Sequence, residues 1–554
     1  MAKSNIDKLL EIKDKFKSAY NAVSYRHDKW IKYFNYYMSS EETVYNQYKK
    51  SRILPIAFSI ISSILPRILS QKPKIRYMMR QYPDYFDDAL EELERQLGDK
   101  YDIERMRRDA INALDFTIKW QWSQMDGDLN FGKLILNSLI YGTGIMMVYW
   151  SEEKNSPMLK VLEPFYFYPE AGCSDAKDMT HCFTVNYLTE GKLREMFKNK
   201  IYRGVNVDKV ISKNIGSYND YIYMEKLSSD NNYGSLDKLI KVVEYYDKNE
   251  IITYIGEDIV RREKNKLGVI PFIVLPNYVV PGDFWGMSEI DQIEQYIKDK
   301  TDFRANRHIN VELNSNCLWR ADPNRQVEMT DLVSAPGQVV RAEQGALEPL
   351  RPPSLPPEVY REDQMFDRDI TDTTGLSDYM RGGTPERFET ATTVQNLVKS
   401  GNMRIILRSL NIVAYCIKPL GKLFIEYNRK FIKPLNIIYQ ENNEYKIFPL
   451  RQDFIKLFEA DFDVIVTARD IEDVKKAELV QIIQAIGNSQ QMAEQVNFRE
   501  FLRELLDQFN INTSKIFKTD KEIQAEKEQA MAMQQQQIMM QQRAKQAQQQ
   551  QGGK

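Results

Sequence analysis

One helical run with nothing to break it constrains this chain most. It opens at Met287-Ser288-Glu289-Ile290-Asp291, where a serine followed three residues later by an acid has the form of a capping box. No glycine or proline then intervenes as far as Trp319. About 32 residues at 1.5 Å each predict a rod of about 48 Å. Residues 321–357 are rich in proline, with a Pro336-Gly337 turn and a strand-like stretch at 338–341. A second helix is expected over 358–374. It is dense in charge (Arg361, Glu362, Asp363, Asp367, Arg368, Asp369) and stops at Gly375. Two helices therefore bracket a small proline-rich module.

The chain is 554 residues long with 43% apolar and 11% aromatic side chains. That suffices for about three to four domains with real cores and excludes a disordered, collagenous or disulfide-stapled chain. Its 76 basic and 78 acidic residues leave a net charge of -2, so any contact with nucleic acid or anionic lipid must be local. The scattered Cys173, Cys182, Cys317 and Cys416 are expected as free thiols. The N-terminus lacks the apolar core of a secretory signal, so an intracellular chain is expected. The most apolar run, 53–69, is 17 residues long and interrupted by Pro55, Pro66 and Arg67. It predicts a buried helix, being too short to span a bilayer.

Around the rod the pattern is mixed. Ile6, Leu9, Phe16, Ala19, Tyr20 and Val23 recur at helical spacing and predict an amphipathic N-terminal helix. Interleaved acids favour packing on its own domain over lying on a membrane. Helices are also expected over 30–49 and 87–122. IMMVYW and MLKVLE, and later VVEYY, IITYI and DIVRRE, read as antiparallel hairpins. Residues 192–237 show no period and are expected as a long surface excursion. A glycine loop with Arg381 and Arg387 at its ends precedes a long helix over 389–431, with Gly401 and Pro419 as expected kinks. A hairpin around Glu441-Asn442-Asn443 and a strand over 463–467 follow. The chain reads as helical again from Ile471. Residues 524–551 hold 13 glutamines and are expected to be either helical or disordered. The expected fold class is α+β, predominantly α-helical and multidomain.

Chemistry is sparse. There is no phosphate loop, and Gly142-Thr143-Gly144 lacks the third glycine of a dinucleotide fingerprint. His27, His181 and His308 come with no zinc spacing, and Cys173, His181 and Cys182 lack a fourth ligand. The acid clusters at 363–372 and 461–473 leave open a metal-dependent nucleic-acid-processing enzyme using Asp363, Asp367 and Asp369, although a solvated or intersubunit face accounts for the first cluster better and an edge strand for the second. The remaining signal is cationic. Lys300, Arg304 and Arg307 form one stripe on the rod, and Arg381, Arg387, Lys399, Arg404 and Arg408 lie in and after the glycine loop. Such contacts would position phosphates without reading sequence.

The runs VLEPFYFYPEAG (161–172), GVIPFIVLPNYVVPGDFWGMSEIDQIEQ (268–295), APGQVV and LEPLRPP (within 335–353), and TTGLSDYMRGGTPERFETATTVQ (373–395), in this order, resemble the portal proteins of tailed bacteriophages, the head-to-tail connector rings. The resemblance spans roughly residues 1–470. It implies a homo-oligomeric ring of about twelve chains around an axial channel, with no catalysis, cofactor or metal of its own. It implies a wing over 1–284, a first stem helix over 285–320, a clip over 321–357 and a second stem helix over 358–376. Then come the tunnel loop, kinked helix and rest of the wing over 377–470, a crown over 471–523 and the tail over 524–554. Arg381, Arg387, Lys399 and Arg404 would face double-stranded DNA, as would Lys300, Arg304 and Arg307 in the stem. Implied partners are the terminase large subunit, head-tail adaptor proteins, and major capsid and scaffolding proteins, with no membrane. The place implied is the portal vertex of the virion, after assembly in the host cytoplasm. Near-neutral charge suits a conduit, because a strongly cationic lumen would trap DNA by counterion release.

Overall fold

The N-terminal amphipathic pattern becomes α1 (Ala2–Ser24), which buries Leu9, Ile12, Ala19 and Val23 in one stripe. This computed structural model describes residues 2–40, 42–46, 49–70, 74–79, 117–214, 239–315, 318–325, 341, 343–350, 356–376, 404–405, 407–433, 435–441, 444–450 and 462–467. Phe16 of α1 meets the rings of Tyr168 and Phe183 at centroid distances of 5.5 and 5.3 Å, so the chain's own sheet covers that face. α2 (His27–Met38) ends in a Schellman turn: Ser39 is left-handed (φ 53°), and the Ser40 N–H donates to the Asn35 carbonyl over 3.0 Å. The helix expected over 30–49 therefore stops at Met38, and an antiparallel pair, β1 (Glu42–Asn46) and β2 (Lys49–Arg52), takes its place. α3 (Ile56–Ser70) buries Ala57, Ile60, Ile61, Ile64 and Ile68, and a short strand, β3 (Lys74–Met79), follows it. Among the described residues no helix is long and apolar enough to cross a membrane.

The chain forms two units, one of Met1–Arg76, Gln121–Phe431 and Val464–Val466, the other of Tyr77–Trp120, Ile432–Asp463 and Thr467–Lys554. In the first, the buried helix α4 (Gly127–Tyr141) runs into β4 (Thr143–Ser151), which pairs with β5 (Ser156–Leu162) and β11 (Phe272–Pro276) in a three-stranded sheet. A five-stranded antiparallel sheet has the order β10-β9-β8-β7-β6: β6 (Phe167–Pro169), β7 (His181–Thr189), β8 (Leu239–Asp247), β9 (Glu250–Ile255) and β10 (Asp258–Lys264). Its turns are chemically specified. Asp247 Oδ1 accepts the Asn249 and Glu250 N–H groups at 2.6 Å each, and Gly256 (φ 57°) opens the two-residue turn between β9 and β10.

Residues 192–214 are not the excursion expected of them. They form α5 (Glu190–Lys198) and α6 (Val207–Asn214), whose Leu193, Val210 and Ile211 close a core with Ile240, Val242, Ile255 and Val260 of the sheet. Each helix spans only about two turns, too few for a period to emerge from the sequence. The rest of that stretch, 215–237, lies outside the described residues, as do 87–116, 471–523 and the glutamine-rich tail.

The rod is α7 (Glu289–Ser315), 27 residues and about 40 Å long. It is shorter than expected because Asn314, Ser315 and Asn316 favour turns, and β12 (Leu318–Ala321) then pairs with β13 (Leu347–Leu350). This ladder closes the base of the proline-rich module, whose strand-like 338–340 lies outside the described residues. The second helix is α8 (Pro357–Thr374), ended by the left-handed Gly375 (φ 71°). The kinked helix is described from Arg404. It widens to a π-helical turn at Val413–Ile417 and continues as α9 (Lys418–Phe431). Pro419 has no N–H for the Tyr415 carbonyl and its ring crowds that turn, so the helix yields one residue before it. In the second unit β14 (Leu435–Glu441) and β15 (Glu444–Leu450) form the expected hairpin, with Glu441 opposite Glu444. The strand expected over 463–467 is β16 (Phe462–Thr467), whose central residues Val464–Val466 count with the first unit.

Candidate functional site at the root of the paired helices

The start of α7 is held from four sides. Ser288 is its N-cap: its Oγ accepts the Ile290 N–H at 3.0 Å, while its own N–H donates to Asp291 Oδ2 at 2.8 Å, completing the capping box. The same hydroxyl lies 2.9 and 2.7 Å from the Leu139 and Ile140 carbonyls at the end of α4. Just before it, Gly286 passes so close to Gly142 that a Cβ at Gly286 would sit 2.5 Å from the Gly142 carbonyl oxygen. Gly142 itself has φ 86°, which an L side chain rarely adopts.

The acids of the first two turns each meet a distant cation. Lys29 approaches Asp291 at 2.7 Å, Tyr33 donates to the same carboxylate, and Lys32 pairs with Glu294. Burial, and then the Asp291 carboxylate, push the Tyr33 phenol far above its usual range. Glu289 is the buried member. It pairs with Arg408 at 2.8 Å, with side-chain exposures of 2% and 3%, and accepts from Asn277 Nδ2 at 3.0 Å. Arg408 also donates to the Tyr278 hydroxyl and lies over that ring at 5.2 Å. Burial, reinforced by Glu289, raises the Tyr278 phenol.

Farther along, α7 and α8 lie antiparallel and face each other through charge and one ring contact. Lys300 reaches Asp367 at 2.5 Å and Asp363 at 3.8 Å, and Arg307 reaches Asp363 at 3.2 Å. Phe303 meets Phe366 at a centroid distance of 6.0 Å. Two of the three stripe cations thus turn toward α8, while Arg304 is exposed. The same pairs occupy Asp363 and Asp367, and Asp369 is exposed on α8. Asp363 and Asp367 are offset by α7, while Asp372 lies 3.8 Å from Arg368 of its own helix. Among the described residues no group of three or more His, Cys, Asp or Glu is placed to hold a metal. Cys182 is buried, and His181 lies 3.9 Å from Glu170.

Of the loop cations, Arg381, Arg387 and Lys399 lie outside the described residues. Arg404 is described. Its guanidinium donates to the Thr373 carbonyl and, at 3.2 Å, to the Asp372 carbonyl, so it caps the end of α8. Arg408, read from the sequence as one of the phosphate-contacting cations, is instead buried against Glu289, and the residues that sequence reading missed are Glu289, Asn277, Tyr278 and the Gly142–Gly286 contact.

The arrangement anchors a long helix pair to a mixed body. No curated protein matches the chain. Residues 151–551 match the family model of the phage SU10 portal protein, a span that includes both helices, the proline-rich module and Arg408, and the chain belongs to that family.

Proposed function

We propose that about twelve copies of this chain close into a ring at one capsid vertex, through which double-stranded DNA enters during packaging and leaves at ejection. Membership of the portal family makes the chain a structural head-tail connector component of the phage. The observation that carries the finer reading is the antiparallel pair α7 and α8, rooted in the body at one end and closed by the β12–β13 ladder at the other. In this reading the pair is the stem and lines the channel. The module between β12 and β13 is the clip, which docks the terminase large subunit and later the head-tail adaptors. Residues from 471 onward face major capsid and scaffolding proteins. DNA is met by Arg381, Arg387 and Lys399 of the loop and by Arg304 of the stem, while Lys300, Arg307 and Arg404 act mainly within the subunit. Assembly takes place in the host cytoplasm.

Native mass spectrometry with negative-stain averaging tests the ring. The expected result is a closed cyclic particle of about 780 kDa from about twelve 65.1 kDa chains. A chain that stays monomeric even with its scaffolding protein present would overturn the reading.

A further inference from the structure

Arg404 and Arg408 stand one turn apart on the same face of one helix, and each holds one end of the paired helices. Arg404 donates to the Asp372 and Thr373 carbonyls at the end of α8. Arg408 pairs with Glu289 at the start of α7. Both contacts complement the helix dipoles, a cation at a C-terminus and an acid at an N-terminus. The fit is close: a Cβ on Gly375 would lie 2.9 Å from Arg404 Cδ, and Asn277 and Tyr278 enclose the Arg408–Glu289 pair. Ile405, Ser409 and Ile412 beside the two arginines are buried, and the Ser409 hydroxyl donates to the Ile405 carbonyl over 3.0 Å.

We propose that Arg404 and Arg408 are positioning residues that form a two-point clasp, coupling the end of α8 to the start of α7 so that the two ends loosen or tighten together. A helix turn is stiff over the roughly 6 Å that separates the two positions, so a shift at one arginine moves the other. The consequence rests on the conduit reading. The chain leaves α8 at Leu376 and returns at Arg404, and between them it carries Arg381, Arg387 and Lys399. A pull on those cations would reach the root of the stem through the clasp. The coupling itself needs no DNA, so it stands or fails apart from that reading.

Hydrogen exchange followed by mass spectrometry on the full-length protein tests it, comparing wild type with Arg404→Met and Arg404→Lys. Arg404 is exposed, so neither change should prevent folding. In Arg404→Met, which removes both carbonyl contacts, amides in the last turn of α8 and in the first turn of α7 should both exchange at least about fivefold faster. Amides of β4 and α9 should not change, and the lysine variant should restore part of the protection at both ends. Faster exchange in α8 alone, no change at either end, or a uniform rise across the molecule would each overturn the clasp.

Discussion

At the scale of single residues, the least replaceable group is the Glu289–Arg408 pair. Both side chains are almost fully buried, and Arg408 Nε has no hydrogen-bond partner, so the guanidinium depends on Glu289 and Tyr278 for its compensation. Removing one partner of such a pair strands the other in a low dielectric. Glu289→Gln should lower unfolding stability by about 3–5 kcal/mol in urea titration, while replacing both residues with methionine should recover most of that loss. The cysteines give a second residue-scale expectation. Burial pushes the Cys416 thiol up to about 12 and the Cys182 thiol well above its usual range, leaving little thiolate at neutral pH. Alkylation of the native protein at pH 8 should therefore label Cys173, which is half-buried, before Cys182 or Cys416. Peptide mapping that found Cys416 labelled first would contradict this packing. Little of the residue scale was legible in advance. Ser288 and Asp291 announced a capping box, but nothing marks Glu289 as the buried acid among Glu289, Asp291 and Glu294, because burial there is decided by Arg408 and Asn277 from far along the chain.

Elements were more legible, and unevenly so for a physical reason. The β4–β5 hairpin, the β8–β9–β10 meander, the β14–β15 hairpin and α8 follow from local periodicity and turn chemistry, and they form where expected. The errors arise where a tertiary partner overrides a local pattern. β12 takes residues that read as the end of the rod because β13 is there to pair with them, and α5 and α6 exist because the sheet offers their short apolar stripes a surface. The β12–β13 register supports an element-scale test. Ala321 lies opposite Leu347, so Asn-Gly in place of 322–346 would join the strands by a two-residue turn without moving either helix. The shortened chain should melt within a few degrees of wild type and still assemble, yet fail to bind the packaging motor. Retained packaging would remove the module from the docking role proposed for it.

For the whole molecule read as the proposed conduit, the governing quantity is how much positive charge is left to face DNA. The chain is nearly neutral, with 76 basic against 78 acidic residues, and α8 neutralises Lys300 and Arg307 through Asp363 and Asp367. A conduit built this way should hold duplex loosely. Its affinity should be weak, indifferent to sequence and falling steeply with salt, because each phosphate neutralised contributes about 0.9 to the slope of log K against log[salt]. If α7 and α8 line the proposed channel, unmasking Lys300 and Arg307 should make it grip. Asp363→Asn with Asp367→Asn frees Lys300 and Arg307 while keeping side-chain volume. The double variant should bind duplex more tightly at low salt, with a slope steeper by about 0.9 for each freed cation that reaches a phosphate. These partly exposed ion pairs are each worth only about 0.2–1 kcal/mol, so the subunit should remain folded and the ring intact. Fluorescence anisotropy over a salt series reads the slope, and a packaging assay reads the cost, which should be slower translocation at unchanged assembly. An unchanged slope in an intact ring would mean that the α7–α8 seam does not face the DNA, and would shift the contact to Arg304 and the loop cations.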